Sequence, residues 1–170
     1  MLTLPRAVLA QVLAHAREAY PEECVGFLLA PRDSAVVDEA RRCENVQNAL
    51  HAEDPATYPR TARTAYNLGP RDLFFLDKSQ RGARPVVSIY HSHIEAGAYF
   101  SAEDRRFAVQ DGELVYPVEY LVVSMFDGAP RDANLFRWDR ARGEFDEAAV
   151  PLDADADADT DTDANDKEQR

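Results

Sequence analysis

The residues whose types and spacing suit metal chemistry lie in the run YHSHIEAGAYFSAED, at positions 90–104. His91 and His93 stand one residue apart, and Ser101 and Asp104 follow with an S-x-x-D spacing. On a β-strand, side chains alternate between faces, so two histidines two positions apart point the same way and can reach one point in space. The pair carries little by itself, because a single histidine is more often a hydrogen-bonded core residue than a ligand. Ser101 and Asp104 also have a plain reading as a capping box, each side chain satisfying amides at a helix start. Yet a helix beginning at Ser101 can fold back over the strand end and carry Asp104 toward the histidines. Two imidazoles and one carboxylate make a three-ligand set for Zn²⁺, with the fourth position left for water. Capping and coordination use different oxygens of one turn, so both can hold.

A hydrolytic metal site also needs a base, and Glu23 is the candidate. It opens the otherwise apolar stretch ECVGFLLA. An ionised carboxylate is costly to bury unless it is paired or close to a metal. The competing reading places Glu23 at an exposed strand end beside Glu22, and spacing alone leaves both open. The cysteines, Cys24 and Cys43, do not make a disulfide framework and read as small buried hydrophobes. His15 is expected on the solvated side of the first helix. For His51, in a long loop, a surface role outweighs a catalytic one.

These residues need elements to hold them. The spacing of Val8, Leu9, Val12, Leu13 and Ala16 predicts a helix behind Thr3 and Pro5, ended by Tyr20-Pro21. ECVGFLLA reads as a buried strand, and SAVVDEARRCENV as one or two more. Residues 47–68 show no clear period, and long loops of this kind are often functional. Within it Arg60, Arg63 and Tyr66 read first as surface residues; the alternative makes them a wall of the site. A helix is expected over 70–79 with Leu73, Phe74 and Leu76 facing inward. RPVVSIYHSH is a strand, SAEDRRFAVQDG a helix, and EYLVVSMF, ANLFRWD and GEFDEAAV are three further strands. Strands mixed with helices over 1–152 predict one layered α/β domain. The formal net charge is −12 over 170 residues. Half of it sits in the tail DADADADTDTDANDKEQR, 153–170, which has no side chain to bury and is expected to be disordered. No basic stripe offsets the negative total, so nucleic-acid binding is not expected. The absence of a run of about 18 apolar residues or a signal-peptide pattern predicts a cytoplasmic protein without a membrane span.

HSHIEAGAYFSAED resembles the JAMM motif, H-x-H, seven residues, S-x-x-D, at every defined position, and EECVGFLL resembles the E-x-x-G strand that precedes it in the JAMM/MPN+ (Mov34/PAD-1) metallopeptidases. PVEYLVVS resembles the strand after the motif helix. One departure is local: bacterial members often carry cysteine directly before the glycine, whereas here Val25 stands there and Cys24 one earlier. The resemblance covers most of 1–150. It implies a central mixed β-sheet flanked by helices, similar to cytidine deaminases, with zinc held by His91, His93 and Asp104. It further implies Glu23 as general acid/base and Ser101 as a stabiliser of the oxyanion. Compact bacterial members are linked to ubiquitin-like sulfur carriers, which makes a peptidase or isopeptidase acting after a carrier's C-terminal Gly-Gly the leading expectation. The carrier's tail is expected to bind as an added strand, with residues 94–100 as one wall. The competing expectation is a non-catalytic interaction module of the same fold. A two-histidine, one-carboxylate iron oxygenase is disfavoured because those sites sit in all-β barrels, and a barrel amidohydrolase because the chain is too short.

Overall fold

The structure, a computed structural model, describes residues 1–152; the expected acidic tail, 153–170, lies outside the described residues. In chain order the elements are α1 (Arg6–Ala19), β1 (Val25–Leu29), β2 (Glu39–Cys43), α2 (Gln47–Glu53), α3 (Pro70–Ser79), β3 (Val86–Ile94), α4 (Ala102–Ala108), β4 (Val109–Gln110), β5 (Glu113–Leu114), β6 (Glu119–Phe126), β7 (Ala129–Asp139) and β8 (Glu144–Ala149). Six strands form one sheet in the order β2-β1-β3-β6-β7-β8, and β4 and β5 form a separate two-stranded ladder. Only the β3–β6 pairing is parallel in the large sheet, which makes it mixed as expected.

Alternation along the strands sorts the core into two clusters. Leu28, Tyr90, Leu121, Val123, Met125 and Leu135 face one way and pack against Val8, Leu9, Val12, Leu13 and Ala16 of α1. Each fully buried aliphatic side chain there contributes about 1.5–3 kcal/mol. Val25, Phe27, Ile89, Tyr120, Val122 and Phe136 face the other way, where Leu76 of α3 and Ala108 of α4 cover them. His91 and His93 alternate with Ile89 and so lie on this second face. Gly26 lies on the first: a Cβ there would collide with the Tyr90 ring and the Arg41 carbonyl. Its missing side chain makes room for Tyr90 rather than for substrate.

Several expectations change in detail. Pro5 is the cap residue of α1 and Arg6 its first helical residue. The 47–68 segment begins with a short helix, α2. The bounds of α3 hold, but of its apolar residues only Leu76 is buried; Leu73 is 41% exposed and Phe74 68%. The inward place beside Leu76 goes to Asp72, which pairs with Arg41 at 3.2 Å. α4 is shorter than expected and gives way to the β4–β5 ladder. His15 is half-buried rather than solvated, its Nδ1 2.9 Å from the Tyr90 hydroxyl. Burial lowers its pKa to about 4. Among the described residues no helix is long and apolar enough to cross a membrane.

Candidate metal centre

β3 supplies both histidines near its end. The antiparallel register pairs Val25 with His91, and the Ser92 amide bonds the Cys24 carbonyl at 3.1 Å. One step further, Glu23 falls across from His93. Its backbone is fixed from two sides: its N–H donates to the Ala62 carbonyl at 2.7 Å, and its C=O accepts from Asn45 Nδ2 at 2.9 Å. β3 ends in a turn in which Glu95 adopts φ 53°, a conformation uncommon outside glycine. The Glu95 carboxylate accepts from the Tyr20 hydroxyl at 2.8 Å and the Asp127 amide at 3.0 Å. That turn brings the Gly97 carbonyl to His93 Nδ1, at 2.9 Å.

The capping box at α4 is present, with Ser101 as the cap and Asp104 as its reciprocal partner. Asp104 Oδ2 accepts from the Ser101 amide at 2.8 Å and its hydroxyl at 2.6 Å. The same carboxylate reaches the histidines: Oδ1 lies 3.5 Å from His91 Nε2, and Oδ2 3.6 Å from His93 Nε2. The two Nε2 atoms are 3.1 Å apart. Three ligand atoms at about 2.1 Å from one tetrahedral ion would be separated by roughly 3.4 Å. The nitrogens are near that spacing, each has a different Asp104 oxygen at 3.5–3.6 Å, and one ligand atom from each of the three residues lies within 4.8 Å of the others, a donor set suited to a divalent ion. His91, His93 and Asp104 are all buried, so the site is dry on the protein side.

Electrostatics follow from this enclosure. Burial pushes the Glu23 carboxyl up to about 8; the Asp104 charge adds to the rise, while His93 and Arg60 oppose it. Burial also opposes ionisation of Asp104, but the His91 charge with hydrogen bonds from both histidines and Ser101 outweighs it and holds that carboxyl well below the usual range. Burial lowers the His91 pKa. In His93 burial is outweighed by the bonds to Asp104 and the Gly97 carbonyl and by the Glu23 charge, and the pKa rises. The cysteines take no part: burial raises Cys24 to about 11 and Cys43 to about 12.

A cavity of about 420 Å³ opens beside this group, with Glu23, His93, Ser101 and Asp104 in its lining. Arg60, Arg63 and Tyr66 also line it, so this loop is a wall of the site rather than bare surface. Arg60 forms an ion pair with Glu103 of α4, joining loop to helix at the cavity. The cavity lining comes from loops, from α3 and α4, and from Ile89, His93 and Ile94 of β3 and Tyr120 of β6. Among the described residues, none of β2 or β8, the outer strands of the sheet, lines the cavity. His51 lies in the last turn of α2 rather than in a loop, its Nδ1 2.6 Å from the Tyr58 carbonyl. Asn45 was not singled out by sequence, yet it ties Glu23 to the loop: its side chain also bonds the Ala65 carbonyl and the Gln47 and Asn67 amides. An asparagine just past a strand was the available signal, since asparagine side chains readily bond nearby backbone.

Residues 5–140 match the family described as prokaryotic homologs of the JAB domain, and the chain belongs to that family. A comparison with curated proteins finds no match. Among solved structures, the fold is similar to protein DSY2949 from Desulfitobacterium hafniense, with a TM-score of 0.62 and 24% identity over 92% of this chain and 96% of that one. It is also similar to a protein from Salinibacter ruber, with a TM-score of 0.56 and 25% identity over 92% and 94%. AF2198, a JAB1/MPN domain protein from Archaeoglobus fulgidus, matches with a TM-score of 0.48 and 18% identity over 89% and 96%.

Proposed function

We propose that the protein is a zinc-dependent peptidase or isopeptidase. Its substrate on this reading is an amide bond after the C-terminal Gly-Gly of a ubiquitin-like sulfur-carrier protein in the cytoplasm. The observation that carries the reading is the convergence of His91, His93 and Asp104 on one point, with the buried Glu23 carboxyl beside them. A divalent ion held by those three groups supplies Lewis-acid chemistry, acidifying a water and polarising a carbonyl. The chain's own residues do the rest. Asp104 is kept ionised and fixed by its capping bonds. Glu23, in the ionised form that a neighbouring divalent ion would favour, takes the proton of the attacking water and delivers it to the departing amine. Ser101 is assigned the charge that develops on the carbonyl oxygen; for this its hydroxyl turns from Asp104 Oδ2 toward that oxygen.

The test is turnover of a sulfur-carrier protein extended by one residue past Gly-Gly, with the zinc-loaded and the chelator-treated chain. Cleavage only with metal supports the reading. Glu23→Gln should cut turnover at least about 100-fold while leaving zinc bound, because a proton carrier is lost and no ligand. Binding of the extended carrier without cleavage by the zinc-loaded chain would favour the interaction module instead.

A further inference from the structure

The two histidines are held in place by different means. A ligating imidazole is ordinarily oriented by a hydrogen bond from its other ring nitrogen. His93 has one, from Nδ1 to the Gly97 carbonyl at 2.9 Å. His91 does not: its Nδ1 is buried without a hydrogen-bond partner among the described residues, although the whole side chain is enclosed. Its sheet neighbours in register, Val25 and Val122, are fully buried and offer only apolar contact. What lies against the imidazole is the Tyr66 ring, with centroids 4.6 Å apart and planes inclined at 34°. The rings pack against each other at a tilt, and the tyrosine ring offers the imidazole N–H no lone-pair acceptor.

The Tyr66 ring is itself placed from outside. Asn45 accepts from the Asn67 amide and donates to the Ala65 carbonyl, both at 3.1 Å, clamping the backbone on either side of Tyr66. The Val46 amide adds a bond to the Asn67 carbonyl at 3.0 Å. By contrast, Tyr99 meets the His93 ring at 63° from a position 54% exposed, a looser contact on a ligand that has its hydrogen bond already.

We propose that Tyr66 is the positioning residue for His91, its ring face doing for that ligand what the Gly97 carbonyl does for His93. The ring blocks rotation of the imidazole and keeps Nε2 aimed at the point shared with His93 and Asp104. The flat apolar surface performs this task and the hydroxyl does not, since it makes no hydrogen bond to a described residue. The inference depends on metal binding alone and stands apart from amide hydrolysis.

The test is the zinc dissociation constant of the full chain, measured by competition with a chromophoric chelator, together with the visible spectrum of the Co²⁺-substituted protein. Tyr66→Phe should bind within about twofold of the wild type and leave the cobalt bands in place. Tyr66→Leu and Tyr66→Ala should each bind about 10–100-fold more weakly, the range for loss of an orienting partner, with altered cobalt bands. Folding of each metal-free variant is checked by its backbone amide spectrum. Should Ala not fold, the Phe and Leu pair decides. Wild-type affinity and spectrum in Tyr66→Leu would overturn the proposal, as would a loss in Tyr66→Phe equal to that in Tyr66→Leu, which would place the effect in the hydroxyl. A wild-type chain that binds no zinc would remove the metal centre and this inference together, whereas a zinc-binding chain without peptidase activity would leave the inference intact.

Discussion

Glu23 sits among apolar strand residues with a carboxyl raised to about 8 by burial, so in the metal-free chain it keeps its proton at neutral pH. An exposed glutamate has a pKa of about 4.3, and the unfolded chain therefore releases a proton that the folded chain retains. Between those two values the folded state binds more protons, and stability falls as pH rises. Below the lower value the group contributes no difference. Metal-free Glu23→Gln should therefore match the wild type near pH 4 and exceed it by about 4–5 kcal/mol at pH 8, as read by urea denaturation. Equal stability at both pH values would mean that Glu23 is solvated. His15 has the opposite sign. Its pKa is lowered to about 4, so the unfolded chain takes up a proton below about pH 6.5 that the folded chain refuses. Its contribution is lost as pH falls through that window, and His15→Gln should flatten the acid side of the stability profile.

At the level of elements, the site depends on three backbones meeting: the start of β1, the end of β3 and the first turn of α4. The first of these is tied to the 60–68 loop chiefly through Asn45, which makes bonds to Glu23, Ala65, Gln47 and Asn67. Removing this side chain leaves backbone groups unpaired in a half-buried place, at about 1–3 kcal/mol. Asn45→Ala should lower stability by that amount in chemical denaturation. It should also reduce turnover more than it reduces zinc affinity, because Glu23 shifts while the β3 and α4 ligands remain. Loss of stability with unchanged turnover would make Asn45 a structural tie only. The Arg60–Glu103 pair is the second link between loop and helix, but it is about 39% exposed at Arg60, and exposed pairs contribute little to stability.

For the molecule as a whole, the proposed metal centre, a buried cluster joining strand to helix, would couple metal binding to folding. An ion that binds only the folded chain stabilises it by about 2.7 kcal/mol at one hundred times its dissociation constant. Zinc should raise the unfolding midpoint in a calorimetric scan, and a chelator should reverse the rise. The effect should fade in acid, where the ligand histidines of the unfolded chain are protonated. A midpoint indifferent to zinc at pH 7 would count against the centre.

How much of this was legible beforehand differs residue by residue. His91, His93, Ser101 and Asp104 are local in sequence, and strand alternation and helix capping are local rules, so their convergence could be read from one short run. The strands β1, β3 and β6 were equally plain, because apolar runs between turns admit few other structures. Leu73 and Phe74 were misplaced because helical spacing marks an apolar stripe without saying whether a neighbour covers it; here Leu73 borders the cavity, Phe74 is exposed and the Arg41–Asp72 pair takes the inner position. The ambiguity at Glu23 was of the same kind, since only the register of β1 on β3 and the overlying loop make it buried. By itself the sequence determined the members of the candidate cluster and the mixed α/β layout, through periods and caps that act over a few residues. Only the tertiary structure decided which partners stand around those ligands, Asn45, Gly97 and Tyr66 among them, because contacts between distant segments depend on sheet order and loop anchoring that no local pattern encodes.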